Sequence, residues 1–273
     1  MAVAKNVLLV GGGKMGGALL RGWLSCGLNR ARVRVIEPLA EASQLLKDEL
    51  FVSVVETAGD LDAEFSTDII VFAVKPQGMK EIVPLYADIV DAGAVTLSIA
   101  AGRNIAFFEE CLGADRAIVR TMPNTPAAIG RGITAAFANA KVTKDQKAAC
   151  QALLEAVGEV VWLDDEGLID AVTAVSGSGP AYVFLLIECL ARAGRAQGLS
   201  AEIAAKLAGV TVAGAGELAR QSEEGASILR ENVTSRGGTT AAALEVLMAG
   251  DGLEQLMQRA VEAATSRSRE LAG

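Results

Sequence analysis

Short apolar runs alternate with amphipathic stretches through the first half of the chain. The runs are Val7–Val10, Val33–Ile36, Val52–Val55, Ile69–Val74, Val95–Ile99 and Ala117–Val119. Several are continuous in Val, Ile and Leu, the pattern of strands buried on both faces of a parallel sheet. Between them lie stretches of helical periodicity at Met15–Cys26, Glu41–Glu49 and Gly78–Val90, so the order reads as successive βαβ units. Two further strands, Ile133–Phe137 and Val160–Leu163, flank a helix at Lys144–Val157. After Asp164–Asp165 nearly everything reads as helix, with breaks at Ser176–Pro180, Gly198–Ser200, Gly225, Thr234–Gly238 and Gly250–Gly252. Each break carries Gly, Ser or Pro suited to a cap or turn. The expected fold is α/β: an N-terminal Rossmann-type doubly wound sheet over residues 1–164, then an all-helical domain over residues 165–273.

The helix from about Ala201 to Ser222 is unusual. Its stretch Leu207–Gly216 (LAGVTVAGAG) has no charge on any face. A helix that is apolar all round must be covered all round. A helical domain of this size could hardly hide it alone, so a second subunit is the expected cover.

Composition narrows the function. With 51% apolar and 21% charged residues in 273, the chain has ample material for a packed core and little for disorder. Aromatics are 4% and glycines number 29, which favours close packing of small side chains. The net charge of −8 argues against nucleic acid or an anionic membrane as partner, since both need a basic face. It leaves room for an anionic small molecule held at a local site. The four cysteines show no metal-ligand spacing, so no metal site is expected and a reducing, cytoplasmic setting fits them. The N-terminus MAVAKNVLLVGGG runs straight into a strand and a glycine loop, unlike a signal peptide. No uncharged apolar run reads as long and uninterrupted enough for a membrane span. The chain has no histidine, which excludes any mechanism that needs a His acid, base, nucleophile or ligand.

Gly11-Gly12-Gly13-Lys14-Met15-Gly16 matches GxGxxG directly after a strand and opens a helix. Gly11 permits the turn, Gly13 lets a pyrophosphate approach the backbone, and Gly16 lets helix and strand pack closely. The helix N-terminus, including Lys14 and Met15, then offers N–H groups to the phosphates. Glu37 closes the second strand, 21 residues after Gly16. It reads equally well as an acceptor for the adenosine ribose hydroxyls or as a solvated charge beside Pro38. The fourth strand ends in Ala73-Val74-Lys75-Pro76 and leaves Lys75 at its mouth, where ligands of open α/β sheets bind. The fifth ends in Leu97-Ser98-Ile99-Ala100-Ala101-Gly102, whose small residues let a flat ring lie against backbone. In Met122-Pro123-Asn124-Thr125-Pro126 two prolines stiffen the loop after the sixth strand. Ser235-Arg236-Gly237-Gly238-Thr239-Thr240 is a glycine turn running into a helix. Its donors converge either on an anion or simply on the helix end.

These motifs, with SGSGPAY (Ser176–Tyr182) and NVTSRGGTTAAAL (Asn232–Leu244), occur in order along essentially the whole chain. In them the chain resembles the pyrroline-5-carboxylate reductase family. The resemblance implies reduction of the cyclic imine 1-pyrroline-5-carboxylate to L-proline, the last step of proline biosynthesis, with NADP(H) or NAD(H). It also implies a helical dimerisation domain, giving a homodimer or higher homo-oligomer through the C-terminal helices. On the matching positions, Gly11, Gly13, Lys14, Met15, Gly16, Glu37, Ala73, Val74, Lys75, Pro76, Ala100, Ala101 and Asn124 become candidates for the cofactor. Glu223, Ser235, Gly237, Gly238, Thr239 and Thr240 become candidates for the substrate, and Thr240 and Lys75 for the chemistry. The chain departs from the family at Arg236, where Pro is usual, and at Glu37, where residues friendlier to a 2′-phosphate are common. The missing histidines agree with the resemblance. An imine basic enough to arrive as iminium accepts hydride without a strong enzyme acid, whereas a carbonyl needs one. A hydroxyacid-dehydrogenase relative would need a catalytic lysine on a second-domain helix, but from Gly167 to Gly273 the only lysine is Lys206. A non-catalytic nucleotide sensor would need no anion turn at Ser235–Thr240.

Overall fold

The computed structural model describes residues 5–91 and 93–272. Eight strands form one sheet: β1 (Val7–Val10), β2 (Val33–Ile36), β3 (Ser53–Val55), β4 (Ile69–Phe72), β5 (Val95–Ser98), β6 (Ile118–Met122), β7 (Gly132–Ala138) and β8 (Gly158–Trp162). Their spatial order is β3-β2-β1-β4-β5-β6-β7-β8. The first six are parallel, β7 runs antiparallel to β6, and β8 is parallel to β7.

Both faces of the parallel part are covered, and the strands show it residue by residue. Val7 and Leu9 point into one apolar layer with Leu19, Leu20 and Trp23 of α1 (Lys14–Ser25) and Leu153 and Leu154 of α4 (Lys144–Glu155). Leu8 and Val10 point into the other, with Met79, Tyr86 and Phe108. Trp23 is fully buried and its indole N–H donates to the Leu153 carbonyl at 2.9 Å. Burial in the first layer pushes the Cys150 thiol up to about 12. Also on the sheet lie α2 (Ala40–Leu50) and α3 (Ile105–Leu112).

Two helix readings need correction. The stretch expected to be one helix over Gly78–Val90 is broken into Met79–Ile82, a 3₁₀ turn at Val83–Tyr86, and Ala87–Asp91. Pro84 is the reason, because it lacks the N–H that a continuous helix would use. Conversely, the break at Ser176–Pro180 is nearly absent. The chain stays helical from Glu166 to Ala196, with a π-helical turn at Thr173–Gly177 in place of a loop. An 18-residue window within this run reaches a mean hydropathy of 1.5, long and apolar enough to span a membrane by length and composition only, a test that the core helix of a soluble protein also passes.

The chain forms two compact units. One runs through Gly177 and takes in the stretch from Thr265 onward; the other is Ser178–Ala264. The second unit is built from α5 (Gly179–Ala196), α6 (Ala201–Gln221), α7 (Ala226–Asn232), α8 (Thr239–Leu247) and the first part of α9 (Leu253–Ala272). α5 and α6 form a hairpin, and Ser200 caps α6 by accepting from the Ile203 N–H.

Candidate active site

The strand order reverses direction between β1 and β4, the place where open α/β sheets bind ligands. The ladder fixes the height of the loops there: Ala73 N–H donates to Val10 O at 2.8 Å and Gly11 N–H to Ile36 O at 2.9 Å. Gly11 has φ +99°, and a Cβ on it would sit 2.8 Å from the Ala73 carbonyl oxygen. A Cβ on Gly16 would run into the Gly11 carbonyl oxygen. Both positions require glycine for close approach. Gly13 is different, since nothing lies within 4 Å of where its Cβ would be. It caps α1, whose first turn has no side-chain cap and no acidic residue. The N–H groups at that helix end therefore face open space with their positive partial charge.

That space is a cleft of about 570 Å³. Gly13, Lys14 and Met15 line it from the glycine loop, Ala73 to Pro76 from the end of β4, Ala100 and Ala101 from the end of β5, and Asn124 from the loop after β6. Four strand ends thus bring together ten of the residues singled out in the sequence. Five more line the cleft: Ile99, Met122, Pro123, Thr125 and Gly177. They lie in the motifs Leu97–Gly102, Met122–Pro126 and Ser176–Tyr182, from which the sequence pointed only to Ala100, Ala101 and Asn124. Asn124 is buried and its amide oxygen accepts from the Ile133 N–H at 3.0 Å, which holds the loop against the start of β7. The Thr121 hydroxyl donates to Ser98 O at 2.8 Å and ties the ends of β5 and β6 together.

Glu37 is buried rather than solvated. Its carboxylate accepts from the Gly12 N–H at 2.7 Å and from the Leu39 N–H at 3.0 Å. It does not line the cleft, and its immediate task is to hold the glycine loop to the tip of β2. Gly11 and Gly16 are likewise buried under the cleft wall and shape it from beneath. Open space at Gly13, an uncapped helix end, two exposed lysines (Lys14 and Lys75) and small residues at Ala100 and Ala101 fit the phosphates and flat ring of a dinucleotide.

The remaining candidates lie in the second unit. Gly238 N–H donates to Ser235 O at 3.0 Å, closing the turn, and Gly237 has φ +72°. α8 follows, with Gly238 as its cap and no side chain capping it. Ser235, Thr239 and Thr240 are exposed around this uncapped end, and Glu223 is exposed just after α6. Among the described residues no group of three or more His, Cys, Asp or Glu side chains could hold a metal ion.

Residues 166–271 match the family model for pyrroline-5-carboxylate reductase dimerisation, and residues 6–102 match the model for NADP oxidoreductase, coenzyme F420-dependent. The pyrroline-5-carboxylate reductase of Pseudomonas aeruginosa is 42% identical over 267 residues, 98% of this chain and 97% of that one. The chain belongs to the pyrroline-5-carboxylate reductase family. The Mycobacterium tuberculosis member is 40% identical over 97% of this chain and 96% of its own length. Among solved structures, the family member from Coxiella burnetii superposes with a TM-score of 0.92 at 35% identity, covering 98% of this chain and 99% of that one. The Plasmodium falciparum pyrroline carboxylate reductase, solved with NADP bound, gives 0.84 at 29% identity with full coverage of both chains.

Proposed function

We propose that the chain reduces 1-pyrroline-5-carboxylate to L-proline with hydride from NADPH or NADH. The single observation that carries the reading is the cleft at the β1–β4 reversal, walled by the residues the family motifs select. The bound nicotinamide supplies the hydride. The protein's own residues bind and orient. First-turn N–H groups of α1, with Lys14, take the pyrophosphate, and Ala100 and Ala101 let the ring lie flat against backbone. Lys75 at the mouth of β4 brings positive charge close to the reacting end. In the second unit, Ser235, Gly237, Gly238 and Thr239 bind the substrate carboxylate at the uncapped start of α8. Thr240 donates a hydrogen bond toward the imine nitrogen, and Glu223 shapes the site. No strong acid is needed once the imine arrives protonated, so catalysis is mainly positioning.

The cofactor function belongs to residues 1–164, and the substrate and dimerisation functions to residues 165–273. The family model for dimerisation, which begins at residue 166, supports that division. The enzyme works as a cytoplasmic homodimer or larger homo-oligomer through its C-terminal helices, with no nucleic acid or membrane partner. The exposed apolar side chains of α5 and α6 support the assembly.

The test compares pyrroline-5-carboxylate with 1-pyrroline, which lacks the carboxylate. The native enzyme should strongly prefer the acid. Ser235→Ala should lower kcat/KM for the acid by roughly ten- to a hundredfold and leave 1-pyrroline nearly unchanged, the loss expected for one hydrogen bond to a charged group. Equal losses on both substrates would remove the turn from the carboxylate site. Thr240→Ala should slow both, because the imine nitrogen is common to them.

A further inference from the structure

Two loops form one wall of the cleft, Ala73–Pro76 after β4 and Ile99–Ala101 after β5. The ladder between these strands ends where Ile99 N–H donates to Phe72 O at 3.2 Å. Beyond that bond, the hydrogen bonds joining the two loops among the described residues come from one side chain. Arg103 donates from Nε and Nη2 to the Pro76 carbonyl oxygen, at 3.1 and 2.9 Å. Its guanidinium also lies over the Phe107 ring, 4.8 Å from the centroid, and Phe107 in turn meets the fully buried Phe108 edge-on at 5.2 Å. The backbone turns just before it: Gly102 has φ +69°, and a Cβ there would lie 3.0 Å from the Leu271 carbonyl oxygen.

We infer that Arg103 is a positioning residue for the nicotinamide cofactor, clamping the β4 loop to the β5 loop so that the cleft wall keeps its spacing. Two donors on one acceptor and a ring beneath the fork fix the guanidinium in place. The Pro76 carbonyl also accepts from the Met79 N–H and so closes the 3₁₀ turn Pro76–Gly78, and holding it also holds Lys75 and Val74. Arg103 does not itself line the cleft. It therefore acts equally on NADPH and NADH, unlike a residue that reads the 2′-phosphate.

The inference rests on assigning the cleft to the cofactor, and the experiment separates the two. Cofactor Kd is measured by nicotinamide fluorescence for the native enzyme, Arg103→Ala and Arg103→Lys. Backbone amide exchange over residues 74–78 is measured in the cofactor-free proteins. Arg103→Ala should raise Kd for both cofactors about five- to tenfold, less than the loss of a direct charge-assisted hydrogen bond to the ligand because Arg103 acts through the Pro76 carbonyl, with kcat within about twofold. Exchange at 74–78 should quicken without cofactor. Arg103→Lys, which keeps the charge but loses the fork, should fall between. If Arg103→Ala does not fold, a Kd raised in Arg103→Lys supports the inference and an unchanged one overturns it. Unchanged Kd and exchange in Arg103→Ala would overturn it, as would a joint loss of kcat, both KM values and Tm. A native enzyme that binds neither cofactor would instead refute the assignment of the cleft.

Discussion

Glu37 carries a negative charge into the interior, and the fold holds it there with two backbone donors, Gly12 N–H and Leu39 N–H. Fixed between them, it stays at the tip of β2 beside the glycine loop. A carboxylate has about four lone-pair directions, so two bonds leave acceptor capacity for ribose hydroxyls while its charge opposes a 2′-phosphate. NADH should therefore be at least competitive with NADPH. Glu37→Gln, which keeps one of the two acceptors and turns the other into an NH2 donor, should raise the NADPH/NADH ratio of kcat/KM about tenfold, with Glu37→Ser similar but less stable, since it leaves both the Gly12 and the Leu39 N–H without their acceptors at a cost of about 1–3 kcal/mol each. Steady-state kinetics with both cofactors checks this, and an unchanged ratio in both variants would remove Glu37 as the reader. The position was legible from its spacing after Gly16. The two backbone bonds were not, because they depend on how the β2 tip meets the glycine loop in space.

At the scale of elements, the strands that alternate between two apolar layers were legible almost to the residue. Val7–Val10 and Val33–Ile36 are strands over those same limits, because sides facing two cores leave apolar runs, unbroken in VLLV and interrupted only by the half-buried Arg34 in VRVI. Direction was not legible: nothing in Gly132–Ala138 says that it turns back against β6, since that follows from the 3₁₀ turn Thr125–Ile129 folding the chain short. Nor was the buried link at Arg120 visible. This arginine is 5% exposed in mid-strand, and its Nη1 donates to Glu166 Oε1 at 2.9 Å. The same oxygen accepts from the Ile105 N–H at 2.8 Å, at the start of α3. One carboxylate thus joins β6, a helix end and the turn Glu166–Leu168. Glu166→Ala would strand a buried guanidinium and a helix N–H, and breaking such a pair costs about 3–5 kcal/mol. Urea unfolding should show a lower midpoint with an unchanged slope. A loss below about 1 kcal/mol would mean that water or another acceptor replaces the carboxylate.

At the scale of the whole molecule, the second unit lacks a core of its own size. Phe184 is 60% exposed, Leu207 53% and Val210 66%, while the buried residues of α6 are only Ala204 and Ala208. Uncharged faces of this kind, read in the sequence as a helix needing cover on all sides, remain open in a single chain. Burying a valine or leucine side chain is worth about 1.5–3 kcal/mol, so several together supply the driving force of a stable interface, which commonly takes about 800 Å² from each partner. A second copy is the cover proposed, because residues 166–271 match a dimerisation family model. Val210→Glu tests this directly. On an exposed helix face in a monomer, the substitution would cost little and would improve solubility. In an interface it buries a charge with no partner, a penalty of several kcal/mol, and the same contact is repeated across a two-fold axis, so the cost doubles per dimer. Light scattering after gel filtration should show a monomer or aggregate, with activity that falls on dilution. A dimer of native size and native activity would mean that α6 faces solvent and that the subunits join elsewhere.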